Sequence, residues 1–306
     1  MYNKAQCRYE SPLQQRSNHA ILPLSICANA VILDLLFSRL TLQCVGPYSE
    51  WQVFVHLERL SKRVWTVLDL GDEVNAGFVA TGAGAVVFDT GANLEQGKKL
   101  RKIVEEQTGE EVTFVINSHY HRRHCSGNAA FDATFLFHRE SYECMSDEGR
   151  ANKGKANTTH IVFTKDGMLK IGSVVFELRQ AMGHAPGSLV LSLPGERVAF
   201  AGDLLFVGHV PTTTHSDLKK WASEMAWLEK IPVDTFVPGH GQIGSREDIR
   251  IQRQYLESLI SSTTMLKRAG IDVEDILARG EIPLLGTSPG CPHHRRNMER
   301  AFRQVA

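Results

Sequence analysis

Apolar positions fall into two blocks along the chain, each a set of short runs followed by a longer amphipathic segment. Residues 63–68, 76–80 and 85–88 are β-branched or aromatic runs broken at Gly71, Gly82 and Gly84, the pattern of successive strands with tight turns. A helix is expected next: Asn93 stands at its N-cap with Gln96 three residues on, Leu100, Ile103 and Val104 share a face, and Gly109 marks the stop. Strands follow at 112–116 and 134–137, then a short helix over 139–146, while polar residues 150–159 read as an exposed loop. The second block places strands at 174–178, 189–193 and 198–201, a loop from Asp203 to Ser216, and a helix with Leu218, Trp221, Met225 and Leu228 on its inner stripe. A strand at 235–237 comes next, and Ser245 with Asp248 opens a long helix facing inward through Ile249, Leu256, Leu259 and Thr263. Residues 273–278 and 297–305 read as helical. Two sheets packed face to face with helices outside would bury every one of these apolar faces, which makes the class α/β.

Composition narrows the picture. The chain has 306 residues, 42% of them hydrophobic, enough for one large domain or two small ones. No linker forces two independent units, so 1–54 are read as an N-terminal extension and 55–306 as the domain. With 34 basic and 34 acidic side chains the formal charge is zero, which argues against a nucleic-acid partner. Cys7, Cys27, Cys44, Cys125, Cys144 and Cys291 lack paired spacing and read as free thiols. The extension carries an apolar stretch and Ala28-Asn29-Ala30, a signal-like cleavage pattern, but Pro23 and Asp34 interrupt it. A stable membrane span is not expected, and the compartment stays open: cytoplasmic is favoured, periplasmic or secreted if that tripeptide is cleaved.

Candidate chemistry concentrates in Asn117-Ser-His-Tyr-His-Arg-Arg-His-Cys-Ser-Gly127, which puts His119, His121 and His124 directly after a buried strand. Imidazole is the commonest metal ligand near neutral pH, and two histidines one residue apart on a loop can aim at one ion. A surface histidine cluster would look the same in isolation. Three further donors stand where small residues let the backbone come close: His184 in Gly183-His-Ala-Pro-Gly187, Asp203 after Phe200-Ala-Gly202, and His240 in Pro238-Gly-His-Gly241. Each alone reads equally well as a turn residue.

Together and in this order, these motifs resemble the metal-binding motifs of the metallo-β-lactamase superfamily, over about residues 60 to 245. The resemblance implies an αββα sandwich with a zinc site on one edge of the two sheets. It implies that His119, His121 and His184 hold a first metal, and that His124 and His240 hold a second. Asp203 would be shared between them or serve the second alone, and Asp89 would support the site from behind. Zinc with three protein ligands keeps a position open for water and lowers its pKa to roughly 7. The reaction class is then hydrolysis of an acyl bond, in an ester, thioester, lactone or β-lactam of a small molecule. Leu204, Leu205, Phe206 and Val207 are expected to wall an apolar pocket, and His209 and His215 to be plain loop residues.

One position departs from the family. The residue before the third histidine is normally an Asp that ligates the second metal, and here it is Arg123. A guanidinium has no acceptor and stays charged. At about 4 Å from a dication it would be repelled by several kcal/mol even at an effective dielectric of about 20. Arg123 must therefore swing to solvent or pair with a carboxylate such as Asp203 or Asp89. Asp203 and Arg123 are the two charges expected to govern catalysis, with one zinc held firmly and a second weakly or not at all. The competing reading is a non-catalytic binding or scaffold protein of the same fold.

Overall fold

A computed structural model of the chain describes residues 56–147, 153–155, 157–275 and 291–305. The N-terminal extension with Ala28-Asn29-Ala30, three of the six cysteines, and parts of the expected 150–159 loop and 273–278 helix lie outside the described residues. Cys125 and Cys291 are buried, and Cys144 is partly buried.

Among the described residues, twelve strands form two sheets. The first, in spatial order, comprises β1 (His56–Arg59), β2 (Val64–Leu68), β3 (Ala76–Val79), β4 (Ala85–Phe88), β5 (Val112–Ile116), β6 (Thr134–His138) and β7 (His160–Phe163). Its β1 to β4 pair antiparallel, and β4 to β7 pair parallel. The second comprises β8 (Gly167–Ile171), β9 (Val174–Gln180), β10 (Leu189–Leu193), β11 (Val198–Val207) and β12 (Thr235–Gly241), with only β11 and β12 parallel. Helices α1 (Leu94–Thr108), α2 (Arg122–Cys125) and α3 (Arg139–Asp147) belong to the first half, and α4 (Leu218–Leu228), α5 (Arg246–Arg268) and α6 (Pro292–Gln304) to the second.

Strand periodicity explains the layering. In β4, Ala85 and Val87 turn toward the α1 layer with Leu100 and Val104, while Val86 and Phe88 turn between the sheets with Ile116, Phe176 and Phe200. A third core lies outside the second sheet, where Trp221, Met225 and Leu228 of α4 meet Ile249, Leu256 and Leu259 of α5. The expected αββα sandwich is the fold observed. The helix ends follow the sequence signals: Asn93 Oδ1 accepts from Gln96 N–H, Gly109 is left-handed with φ 68°, and Ser245 and Asp248 form a capping box. No described helix is long and apolar enough to cross a membrane.

Three strands have no counterpart in the sequence reading, namely β1, β7 and β8, and all three lie at sheet edges. Ile161 and Val162 of β7 and Met168 of β8 are exposed, so these segments lack the buried run that betrays a central strand. A second difference matters for the site. The strand expected to stop at Ala201 continues to Val207, so Leu204, Leu205, Phe206 and Val207 are buried strand residues in the core beneath α4 and α5, not a pocket wall. Likewise β12 runs on through His240 to Gly241.

Candidate metal centre

Asp203 is placed by an irregularity in the β11–β12 pairing. Gly202 pairs with Pro238 and Phe206 with His240, so β11 accommodates extra residues between two matched points. Such a bulge re-aims a side chain out of the ladder, and Asp203 is the residue it turns. The packing tolerates no substitute at Gly239: a Cβ there would sit 2.0 Å from Asp203 Oδ1.

Around this carboxylate stand four histidines. Asp203 Oδ2 lies 3.2 Å from His184 Nε2 and 3.7 Å from His119 Nε2, and His121 Nδ1 lies 3.1 Å from His184 Nε2. On the other side, Oδ1 lies 3.1 Å from His124 Nε2 and 3.4 Å from His240 Nε2. The five histidines and one aspartate thus form two groups that share Asp203: His119, His121, His184 and Asp203, and His124, His240 and Asp203. Within each group the donor atoms all lie within 4.8 Å of one another.

Whether a cation fits can be judged from the donors themselves. His119 Nε2 is buried without a hydrogen bond among the described residues, a cost of about 1–3 kcal/mol unless a cation compensates, and His124 Nε2 and Asp203 Oδ1 face each other at 3.1 Å without hydrogen-bond geometry. Tetrahedral zinc with ligands at about 2.0 Å separates them by about 3.3 Å, and the spacings above run from 3.1 to 3.7 Å. The donors fit.

Behind the donors, partners fix the distal ring nitrogens. Asp89 Oδ1 accepts from Ser118 N–H at 2.7 Å; its Oδ2 accepts from Ser118 Oγ at 2.7 Å and faces His124 Nδ1 at 2.8 Å. Ser118 Oγ in turn lies 2.9 Å from His119 Nδ1, and the Glu73 carbonyl lies 2.8 Å from His240 Nδ1. With each near nitrogen left for a ligand role, each distal one carries the proton and donates. Asp89 sits at φ 61°, a left-handed conformation that Asp adopts more readily than most residues. His184 is held differently. Trp221 packs edge-on against it at 5.3 Å, and the Trp221 indole N–H donates to the Leu204 carbonyl. A further buried network, Thr90, Asn117 and Asn128, holds the His124 carbonyl.

Electrostatics follow from this crowding. Burial first, then its histidine neighbours, drives His119 well below the usual imidazole pKa, and takes His121 to about 3. Burial takes His184 to about 4, against the pull of Asp203. Burial opposes charge on His124 as well, but Asp203 and Asp89 on either side outweigh it and raise its pKa to about 10. Burial likewise opposes the Asp203 charge, and His124, His240 and His184 overcome it, so its pKa falls well below the carboxylate range. At neutral pH the first group therefore offers three neutral imidazoles and an anion, the forms in which these side chains bind metal.

All six sequence-predicted donors are thus brought together. Arg123 is not among them: its side chain is exposed on α2 and makes no ion pair with Asp203, Asp89 or any other described residue. It lies within electrostatic range of His293 on α6. Of the expected pocket wall only Phe206 reaches the site, stacked on His240 at 5.1 Å. Sequence reasoning missed Ser118 and the Glu73 carbonyl. It also dismissed His215, whose Nδ1 lies 2.9 Å from His121 Nε2. Ser118 stood inside the histidine motif and could have been found as a hydroxyl adjoining a ligand, whereas a backbone carbonyl leaves no mark in a sequence.

The model of the Metallo-beta-lactamase superfamily matches residues 70–240. A metallo-beta-lactamase type 2 from Bacteroides fragilis is 23% identical over 233 residues, covering 69% of this chain and 88% of the relative. The solved metallo-beta-lactamase from Pontibacter korlensis superposes with TM-score 0.57 at 21% identity, covering 66% of this chain and 99% of that one. The stereoselective inverting sec-alkylsulfatase Pisa1 from Pseudomonas sp. superposes with TM-score 0.66 at 16% identity, covering 82% of this chain and 50% of that one.

Proposed function

Because the chain belongs to the metallo-β-lactamase superfamily, we propose that it is a zinc-dependent hydrolase of a small acyl compound: an ester, thioester, lactone or β-lactam. The observation that carries this reading is the pair of donor groups sharing one buried carboxylate, with His119 Nε2, His124 Nε2 and Asp203 Oδ1 buried and unsatisfied.

His119, His121 and His184 would hold the first zinc, and His124 and His240 the second, with Asp203 between them. When bound, zinc supplies Lewis acidity to a carbonyl and acidifies water toward neutrality. The protein's own part is to hold the donors in place and in the right protonation state. Asp89 and Ser118 fix the rings of His124 and His119, the Glu73 carbonyl fixes His240, and Trp221 braces His184. Asp203 is the one anion facing both groups, so two dications would share a single negative charge. Arg123 bears on the reaction through the ligand it fails to supply. The first zinc is held firmly, and the second weakly or not at all.

A non-catalytic scaffold reading makes the opposite prediction on chelation. The purified chain, assayed against a simple aryl ester, a thioester, a lactone and nitrocefin, is expected to hydrolyse at least one. That activity should disappear on chelation, return with zinc, and be absent from His121→Ala. β-Lactam turnover, if seen with nitrocefin, is expected at a low level relative to the preferred substrate. Flat traces across all four, identical before and after chelation, would leave the scaffold reading standing.

A further inference from the structure

His121 is the outlier among the five histidines. The other four are at most 8% exposed, whereas His121 is only partly enclosed. His119, His124 and His240 have their distal nitrogens tied from within the fold, and Trp221 braces His184. The distal nitrogen of His121 meets only the imidazole of His215, 2.9 Å away, with the rings 5.1 Å apart.

An exposed loop histidine touching another side chain ordinarily signifies little. Here the loop is anchored on both sides of His215. Thr213 Oγ1 donates to Asn297 Oδ1 at 2.7 Å, and Asn297 Nδ2 donates to the Pro211 carbonyl at 2.7 Å and to Tyr255 Oη at 2.8 Å. The Ser216 carbonyl accepts from Arg300 Nη2 at 2.8 Å and from Gln304 Nε2 at 2.5 Å, while Gln304 Oε1 accepts from Leu218 N–H at 3.0 Å. Asn297, Arg300 and Gln304 all belong to α6, which lies beyond the residues matched by the family model. The helix thus holds the Pro211 carbonyl and the Thr213 side chain before His215, and the Ser216 carbonyl directly after it.

We propose that His215 is a positioning residue for His121: His121 Nε2–H donates a hydrogen bond to His215 Nδ1, which fixes the ring with its own Nδ1 toward the first zinc, and α6 holds His215 in place to accept it. This rests on the reading that the site binds zinc. The proton assignment follows from chemistry, since an imidazole that ligates through Nδ1 must carry its hydrogen on Nε2. Loss of such a partner typically weakens metal binding about 10–100-fold.

Zinc affinity measured by competition with a chromogenic chelator tests this, together with the visible spectrum of the cobalt(II)-substituted protein. His215→Ala is expected to weaken the first zinc at least about 10-fold and to shift the cobalt bands, with far-UV circular dichroism and the thermal midpoint of the metal-free protein unchanged. His215→Asn, whose Oδ1 can stand in for the accepting Nδ1, is expected to restore affinity and spectrum. Affinity and spectrum unmoved by His215→Ala would overturn the inference while leaving the zinc reading intact, as would His215→Asn behaving like His215→Ala. A parent protein that binds no zinc would remove both together.

Discussion

Asp203→Asn is expected to abolish zinc retention and to lower kcat/KM for the best substrate by at least ~100-fold. Replacing a partner that only orients a ligand costs about 10–100-fold, and Asp203 faces four of the five histidines directly, with Oδ2 toward one group and Oδ1 toward the other. Asparagine keeps the shape, so β11, its bulge and the tight approach of Gly239 are preserved. What disappears is the one negative charge that, among the described residues, faces both groups. A cation among the imidazoles of the first group would then have no carboxylate beside it, and the amide would point a donor at one set of nitrogens. Zinc content and steady-state kinetics on the same preparation decide the point. A variant that retains zinc and turns over substrate within tenfold of the parent would show that Asp203 is not the shared anion.

The second large effect is a gain. Arg123→Asp is expected to tighten binding of the second zinc at least tenfold, because it supplies an anion next to His124 where the site has only two imidazoles and a shared carboxylate. A unit charge and a dication about 4 Å apart interact by several kcal/mol at an effective dielectric of about 20, before the cost of desolvating the carboxylate. The side chain at 123 is exposed in the parent, so part of the gain is lost in turning a shorter residue inward. Arg123→Ala separates removal of repulsion from addition of a ligand: with Arg123 already directed to solvent, it should change second-zinc affinity far less than Arg123→Asp. Calorimetric titration of protein already loaded with one equivalent reads both. Equal second-site affinities in the parent and Arg123→Asp would remove the account given of this position.

Legibility tracked how a residue's role is encoded. Strands such as β2 and β4 announce themselves because both faces are buried, and α1 and α5 because their caps are side-chain chemistry written at fixed spacing. The edge strands β7 and β8 have too few buried positions for any pattern to emerge. The six clustered residues could be singled out because a metal site would demand particular side chains at particular spacings. The extent of β11 could not. Gly202-Asp203 looks like a strand end, and only pairing with β12, decided by residues more than thirty positions away, shows that the strand bends and continues. The same holds for His215, whose meaning comes from α6 and from a ring nearly a hundred residues earlier.

Zinc per chain, measured by elemental analysis after exhaustive dialysis against metal-free buffer, tests the central claim most directly. One tightly held equivalent is expected. Two equally tight equivalents would contradict the weakened second site, and none at all would contradict the metal centre itself and the hydrolase built on it.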